Sequence, residues 1–427
     1  MPPPQDQLEI WVVKVLNIKA LYDFDGYVVD KISCQKIGAQ VNLEFDGRCG
    51  PRCPNCGIRL PKHRCLRQSV ADLPVASGLI VYLNFPVVQG HCRKCRFFFT
   101  TRPKEAHPTK DATWRLMRRV SEMAKYAPVT AVAKMMSLGE STVRRYDMAV
   151  LKEDLPEPSL DDLRVIIIDE KSIRRGHGYV TLVLNGETGE LLHMTEGKKK
   201  ASLESFFEKL TEKQRATIEA ACIDRAGGYQ SVLGEQIPGA TVVYDRFHLR
   251  LNLNAAVDEV RRQEWRKASE EDKSFIKGHR FILLANEENL DDKGSEKLAA
   301  IQEVNEGIAT AHYLKEQFRV VHTYSYAGSA RKALEQWCDM AEESELTPFK
   351  RLAKSFRKGA DKIVAFCKHR ITSGKIEGFN NLVSRVVHRA CGITNMDYAW
   401  LKFRQLSIQQ TLEFPQESGH GPDRSLC

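Results

Sequence analysis

From Leu163 onward the chain alternates short apolar runs with one amphipathic segment, in an order that few folds accommodate. VIIID (165–169) is a continuous apolar run, GYVTLVLN alternates into a second strand, and ELLHMTE makes a third after the turn at Gly186–Gly189. Ser202 then reads as the N-cap of a helix through Leu203, Phe206, Phe207 and Leu210. ATIEAACID supplies a fourth strand and ATVVYD a fifth. From about Phe247 to Arg370 the pattern is helical, charged and long, with turn signals at Gly278, Asp291–Gly294 and Tyr326–Ser329. So large a block is not a loop, and it reads as a helical insertion.

Three strands, a helix, a strand, a short helix and a strand is the order of a ribonuclease-H-like fold, in which the first and fourth strands are neighbours. Asp169 closes the first run and Asp224 the fourth. Glu377 stands on a late helix that starts near Ser373 and contains Ile376, Phe379, Leu382 and Val383. Two carboxylates at strand ends and a third on a helix can hold two magnesium (or manganese) ions about 3.5–4 Å apart, clamping both reacting oxygens of a phosphodiester. Any one acid at a strand end is commonplace; the combination carries the reading. Asp245, which also ends a strand, is the rival for the second position, with His248 as a supporting residue or a DNA contact. Glu170 points away from the face that carries Asp169. Lys171, Arg174, Arg175 and His177 follow closely enough to hold phosphate. Asn380 and Asn381, one turn beyond Glu377, either position strands or coat a helix surface.

Seven of the twelve cysteines precede residue 100, and in a reducing compartment such clustering favours metal over disulfides. Cys53 and Cys56 form CPNC, Cys92 and Cys95 form CRKC, and 35 residues separate the pairs. Two facing CxxC knuckles supply four thiolates for a structural, tetrahedral zinc, with the strand-like GLIVYLNF between them as in a zinc ribbon. Cys49, Cys65, His63 and His91 are nearby competitors; a redox pair is the alternative.

The stretch APVTAVAKMMSLGESTVRRYDMAV fits helix, turn, helix. Val129, Val132, Ala133 and Met136 give the first apolar face, Leu138 and Gly139 the turn, and Val143, Tyr146 and Met148 anchor the second helix. Ser141, Thr142, Arg144 and Arg145 then project where a recognition helix meets DNA. Net charge is +9, and Gly47–Ala71 carries six cations and no acid, which suits a polyanionic partner. The bland reading is a solvated basic surface.

A chain of 427 residues implies several domains. The expected division is an N-terminal segment (1–42), zinc ribbon (43–102), helix-turn-helix (103–152), a core of 163–250 with 371–412, a helical insertion (251–370) and a loose tail (413–427). The linker EDLPEPSLDD marks the sharpest break. No run approaches ~18 apolar residues, and MPPPQDQLEIW lacks the basic start of a signal peptide, so action inside the cell and no membrane partner are expected.

IIIDEKSIRRGHGYVTLVL, VVYDRFHL and SGKIEGFNNLVSRVVHRACGI closely resemble the catalytic core of DDE transposases of bacterial insertion sequences, in the ISL-three family. The resemblance runs from about Asp46 to Gln409 and implies a multidomain α+β chain: zinc ribbon, helix-turn-helix and a ribonuclease-H-like α/β core with a helical insertion. It implies Asp169, Asp224 and Glu377 as magnesium ligands and the four CPNC and CRKC cysteines as zinc ligands. It further implies binding of terminal inverted repeats, metal-dependent cleavage and strand transfer, a dimer or higher oligomer on DNA, and work in the bacterial cytoplasm at the nucleoid. A DNA-binding regulator with an inactive core and a purely hydrolytic nuclease are the alternatives.

Overall fold

The computed structural model describes residues 22, 24–35, 38–47, 52–53, 55–59, 64–75, 79–174, 178–225, 228–371, 374–390 and 392–413. Residues 1–21, Cys49, His63, Arg175, His177, Ser373 and the tail beyond 413 therefore lie outside the described residues. The chain forms two compact units that divide between Leu155 and Pro156, inside the expected linker; a short stretch from His388 groups with the first.

The first unit opens with β1 (Tyr27–Gln35), β2 (Gly38–Phe45), β3 (Arg64–Val75), β4 (Leu79–Cys92) and β5 (Phe97–Thr100). They make one sheet in the order β1-β2-β4-β3, with β5 also on β4. Period-two alternation builds it: Ala39, Val41 and Leu43 of β2 and Val81, Leu83 and Phe85 of β4 are all buried. The expected break at 42/43 thus falls inside a strand. The cysteine module is not a free-standing ribbon, because β4 pairs with β2 at its start and carries Cys92 at its end.

Three helices follow: α1 (Trp114–Tyr126), α2 (Val129–Met135) and α3 (Glu140–Asp154). Thr113 caps α1 by accepting from the Leu116 N–H, and its hydroxyl donates to buried Asp72 on β3 at 2.6 Å. Val129, Val132, Ala133, Met136, Val143 and Tyr146 are buried as the sequence predicts. Met148 is only half-buried; Val150 fills the place expected of it. The same face hides Asp147, which accepts from Ser121 Oγ at 2.7 Å.

The second unit begins with β6 (Val165–Arg174), β7 (Gly178–Asn185) and β8 (Leu191–Glu196) as an antiparallel meander. Then come α4 (Lys200–Phe207), α5 (Glu212–Ala216), β9 (Ala220–Ile223), α6 (Gln230–Gln236) and β10 (Thr241–Tyr244). The sheet order is β10-β9-β6-β7-β8, with β9 parallel to both β6 and β10. The first and fourth strands are indeed neighbours. Ser202 is not a cap: Lys199 holds that position, and Ser202 Oγ, inside the first turn, donates to the Glu196 carbonyl at 3.1 Å.

α7 (Arg246–Lys267) starts directly after β10 and runs across the expected 250/251 boundary. The helical block continues as α8 (Glu270–Gly278), α9 (Arg280–Leu284), α10 (Asp292–Val304), α11 (Glu306–Val321), α12 (Ala327–Glu343), α13 (Thr347–Lys358) and α14 (Ala360–Val364). It shares one hydrophobic core with the sheet, from Ile166 and Ile168 through Leu249 and Leu253 to Phe318, Trp337 and Phe356. Burial on that scale, at roughly 25 cal/mol per Å² of apolar area, makes the block part of the core's stability. α15 (Gly374–Arg389) and α16 (Met396–Glu413) complete the unit. Arg404 of α16 is buried, donates to the Leu191 carbonyl at 3.0 Å and pairs with Glu190, which fixes α16 against β8.

Candidate active site and metal centre

β6 is parallel-paired with β9 only as far as Ile167, opposite Cys222. Asp169 emerges two residues later, still paired across to Leu182 of β7. It therefore lies mid-strand rather than at a strand end, because the polar stretch 170–174 stays in the antiparallel ladder. β9 ends at Ile223, so Asp224 leaves the sheet beside it. Asp245 follows β10, its N–H donating to the Ile223 carbonyl at 3.0 Å. Asp169, Asp224 and Asp245 thus stand just past the parallel-paired stretches of three adjacent strands, the edge where open α/β sheets bind ligands.

α7 turns this edge into a site. Asp245 caps it by accepting from the Phe247 N–H, and the first turn delivers His248 into the acids. Its ring nitrogens lie 3.6 Å from Asp169, 3.6 Å from Asp224 and 3.8 Å from Asp245. These are ion-pair distances. Interaction with Asp169, then the charges of Asp224 and Asp245, outweighs burial and pushes the His248 pKa up to about 9. His248 is an imidazolium at neutral pH.

α15 approaches from the other side. Asn380 Nδ2 donates to Asp169 Oδ2 at 2.6 Å, while its Oδ1 is buried without a hydrogen-bond partner among the described residues. Glu377, one turn earlier, is exposed. Among the described residues only cysteines form a group of three or more metal-ligating side chains within 4.8 Å. The expected set Asp169, Asp224 and Glu377 is therefore not drawn to ligand distance; Asp169, Asp224, Asp245, His248 and Asn380 are what the fold gathers. An orphaned amide oxygen beside several carboxylates is a hard, oxygen-rich donor set, and it fits a magnesium-like cation.

The basic residues expected to follow Asp169 divide. Lys171 is half-buried, and burial lowers its pKa. Arg174 is committed to the carbonyls of Ile393 (3.1 Å) and Thr394 (2.5 Å), so it ties a loop rather than presenting a free fork. On α3, Ser141 and Arg145 are exposed, Thr142 is half-buried, and Arg144 pairs with Glu140 at 3.3 Å. The sequence reading passed over Arg246 and Arg250, whose signal was the i, i+4 pair of arginines in RFHLR.

In the first unit Cys53, Cys56, Cys92 and Cys95 bring their sulfurs together. Two knuckles of the same shape do this. Gly57 N–H donates to the Cys53 carbonyl (2.8 Å) and Arg96 N–H to the Cys92 carbonyl (2.7 Å), with Gly57 and Arg96 both at positive φ. Cys53 and Cys95 Sγ are 3.9 Å apart and Cys56 and Cys92 Sγ 3.6 Å. A tetrahedral ion with ~2.3 Å bonds to sulfur sets its ligands about 3.8 Å apart, so the four sulfurs fit zinc. The Cys95 backbone N–H pulls the Cys92 thiol down to about 7, whereas hydrogen bonding to Cys56 pushes Cys95 up to about 12. Four sulfurs this close cannot all ionise without a cation. Cys65 and His91 stand outside the group.

A family model described as a transposase, of the ISL3 DDE class, matches residues 166–403, more than half of the chain. A transposase for insertion sequence element IS1001 from Bordetella parapertussis is 28% identical over 356 residues, covering 82% of this chain and 87% of that protein. A transposase for insertion sequence element IS1557 from Mycobacterium tuberculosis is 29% identical over 300 residues, covering 64% and 67%. The chain is an enzyme that belongs to the ISL3 family of DDE transposases.

Proposed function

We propose that this transposase binds the terminal inverted repeats of its own insertion sequence, cuts the DNA at the element end and joins the freed end to a target. The observation that carries the reading is the row of aspartates just past the parallel-paired stretches of three adjacent strands, with Asn380 of α15 bonded to Asp169. The core, residues 163–250 and 371–412 with the helical block 251–370 between them, is read as ribonuclease-H-like. Its strand order and the late helix over the acids support this.

Asp169, Asp224 and Glu377 are the proposed ligands of two magnesium or manganese ions. Asp224 is preferred over Asp245 because Asp245 is engaged in capping α7 and its side chain is only 8% exposed, against 32% for Asp224. When bound, the ions polarise the phosphodiester and stabilise charge on the entering and leaving oxygens. Asn380 holds the Asp169 carboxylate in one orientation. His248 offsets the mutual repulsion of the aspartates and keeps them gathered. Glu377, exposed on the first turn of α15, meets the DNA from the solvent side. Water attacks at the element end and leaves a 3′-hydroxyl, which then attacks a target phosphodiester. No protein nucleophile is required.

The DNA-reading part extends to about residue 152. The cysteine centre, read as structural zinc, stiffens its sheet. α2 and α3 act as a helix-turn-helix that offers Ser141, Thr142, Arg144 and Arg145 to the major groove. Holding two ends at once calls for at least a dimer, and the place of action is the bacterial nucleoid. Among the described residues no helix is long and apolar enough to cross a membrane.

The test is a labelled duplex carrying the element end, incubated with the full-length protein, magnesium and a target plasmid. Cleavage at the end and joining to the plasmid are expected. Binding without cutting reduces the protein to a regulator, and cutting without joining makes it a nuclease.

A further inference from the structure

α7 borders a second surface besides the acids. Its first turns, the 286–288 turn, the end of α11 and the first turn of α15 enclose a cavity of about 450 Å³. That lies within the ~300–1,000 Å³ range of ligand sites. The cations on its wall are of two kinds. Lys315 donates to the Leu283 carbonyl at 3.1 Å and pairs with Glu316, and Arg319 pairs with Glu288 and Glu316. Both are bound into the helical block. Arg246 and Arg250 have neither an ion pair nor a hydrogen bond from their side chains among the described residues.

Each of these two instead lies over a ring. Arg246 is 4.4 Å from the Phe366 centroid and Arg250 5.4 Å from that of Phe247. Stacking steadies a guanidinium plane and leaves its N–H edge for an acceptor in that plane. Standing at i and i+4, the two repel each other, as like charges at that spacing do. Arg370 adds a third positive charge, and burial together with both neighbours lowers the Arg246 pKa from its ordinary value. His322 lines the same cavity; burial keeps it neutral, and its Nε2 has no hydrogen-bond partner among the described residues. Stacked, mutually repelling guanidiniums suit a phosphate, which accepts from such forks in bidentate fashion.

Position identifies which phosphate. Glu377 lines the cavity, and Asn380, one turn along the same helix, bonds Asp169. His248, two residues beyond Arg246, faces the aspartates from a different side of the same turn. The cavity therefore adjoins the acids, reached from another side of the first turn of α7. One strand crossing the acids thus brings a neighbouring phosphate to the cavity, since successive phosphates follow at roughly 3.4 Å of rise per nucleotide.

We propose that this cavity is a second phosphodiester site, in which Arg246 and Arg250 grip a backbone phosphate of the same DNA strand a few nucleotides from the bond held at the aspartates. The inference rests on the reading of the acids as a DNA-cleaving centre. Its effect is register: two phosphates fixed on one strand leave one bond in place for attack.

The experiment compares full-length wild type with the double variant Arg246→Gln/Arg250→Gln. Neither guanidinium makes an ion pair or hydrogen bond among the described residues and Gln keeps part of each stem, so the variant is expected to fold, which an unchanged melting curve checks. Equilibrium binding of a labelled element-end duplex is measured across a range of salt. Losing one phosphate contact lowers the slope of log K against log salt by about 0.7–0.9. Single neutral methylphosphonate linkages are then placed in turn on either side of the cut. One position weakens wild-type binding and leaves the double variant unaffected, because its contact is already gone. Equal losses in both proteins at every position overturn the second site, while wild-type cleavage leaves the first reading standing. A wild type that binds the duplex and never cuts it overturns both.

Discussion

The two candidate metal centres of this chain are built on opposite plans. Four sulfurs of the cysteine centre already stand at zinc-ligand spacing, held by two backbone turns of the same shape. The acidic centre gathers side chains from β6, β9, α7 and α15, and a protonated His248 sits between its aspartates. A structural ion needs a closed, finished cage. A site that must admit a DNA strand needs an open edge and a carboxylate cluster kept together until the substrate arrives. The cysteine centre serves the fold of the first unit; the acidic centre draws on the whole second unit.

Removing the ion from the cysteine centre should have the largest effect. Structural zinc contributes on the order of 10 kcal/mol to folding. Cys56→Ser is expected to lose stoichiometric zinc, and hydrogen exchange should show β4 and β5 opening while β6–β10 stay protected. Full protection of β4 in a zinc-free variant would break the contrast, since the cage would then be dispensable. The acidic centre should answer in the reverse way. Asp169→Ala removes a carboxylate that accepts from Asn380 and pairs with His248, and several kcal/mol of transition-state stabilisation corresponds to a rate loss of about 10³-fold or more. Folding and end binding should be unchanged. Retained strand transfer in that variant would remove Asp169 from the catalytic set.

The same contrast explains what could be read from the sequence. The CxxC pairs were legible because each knuckle is made by four consecutive residues, and only their meeting needed the fold. The strands were legible because VIIID, GYVTLVLN, AACI and TVVY are apolar runs that strands bury, whereas which strands are neighbours followed only from the expected fold. Asp169 was misjudged as a strand end because the apolar run stops there, whereas backbone pairing carries the strand on through Lys171 and Ser172 to Arg174. Nothing in local composition reveals that a partner strand continues. The central place of His248 and the bond from Asn380 depend on where α7 and α15 cross the sheet edge, which is tertiary information. Arg174 illustrates the limit: its charge suggested phosphate, and the loop at Ile393 and Thr394 takes its donors.

Asn380 gives a smaller and sharper test. Its amide fixes one oxygen of Asp169, so Asn380→Ala should slow cleavage about 10–100-fold, the usual effect of losing a partner that orients a metal ligand. The loss should shrink at raised magnesium, because a misaligned carboxylate binds the ion more weakly. A loss independent of magnesium would give Asn380 a direct contact with DNA instead.

The smallest effect concerns acid, and it separates stability of the second unit from chemistry at its acids. His193 on β8 is buried against Phe206, with Nε2 3.0 Å from Ser205 Oγ. Burial, aided by Lys209, lowers its pKa to about 4, against an ordinary value near 6.5. The unfolded chain therefore binds more protons than the folded one between these values. Stability from this group is complete above pH ~6.5, falls as pH drops toward ~4 and is flat below. The full shift corresponds to roughly 3 kcal/mol, and structural relaxation on protonation should reduce this to about 1–2 kcal/mol. His193→Gln keeps a hydrogen-bonding side chain and removes the titration. Denaturant melts from pH 7.5 to 4 should converge on the wild type at low pH and fall below it near neutrality. Parallel curves would mean that β8 never feels the proton, and that acid acts on the second unit through the aspartates and His248 alone.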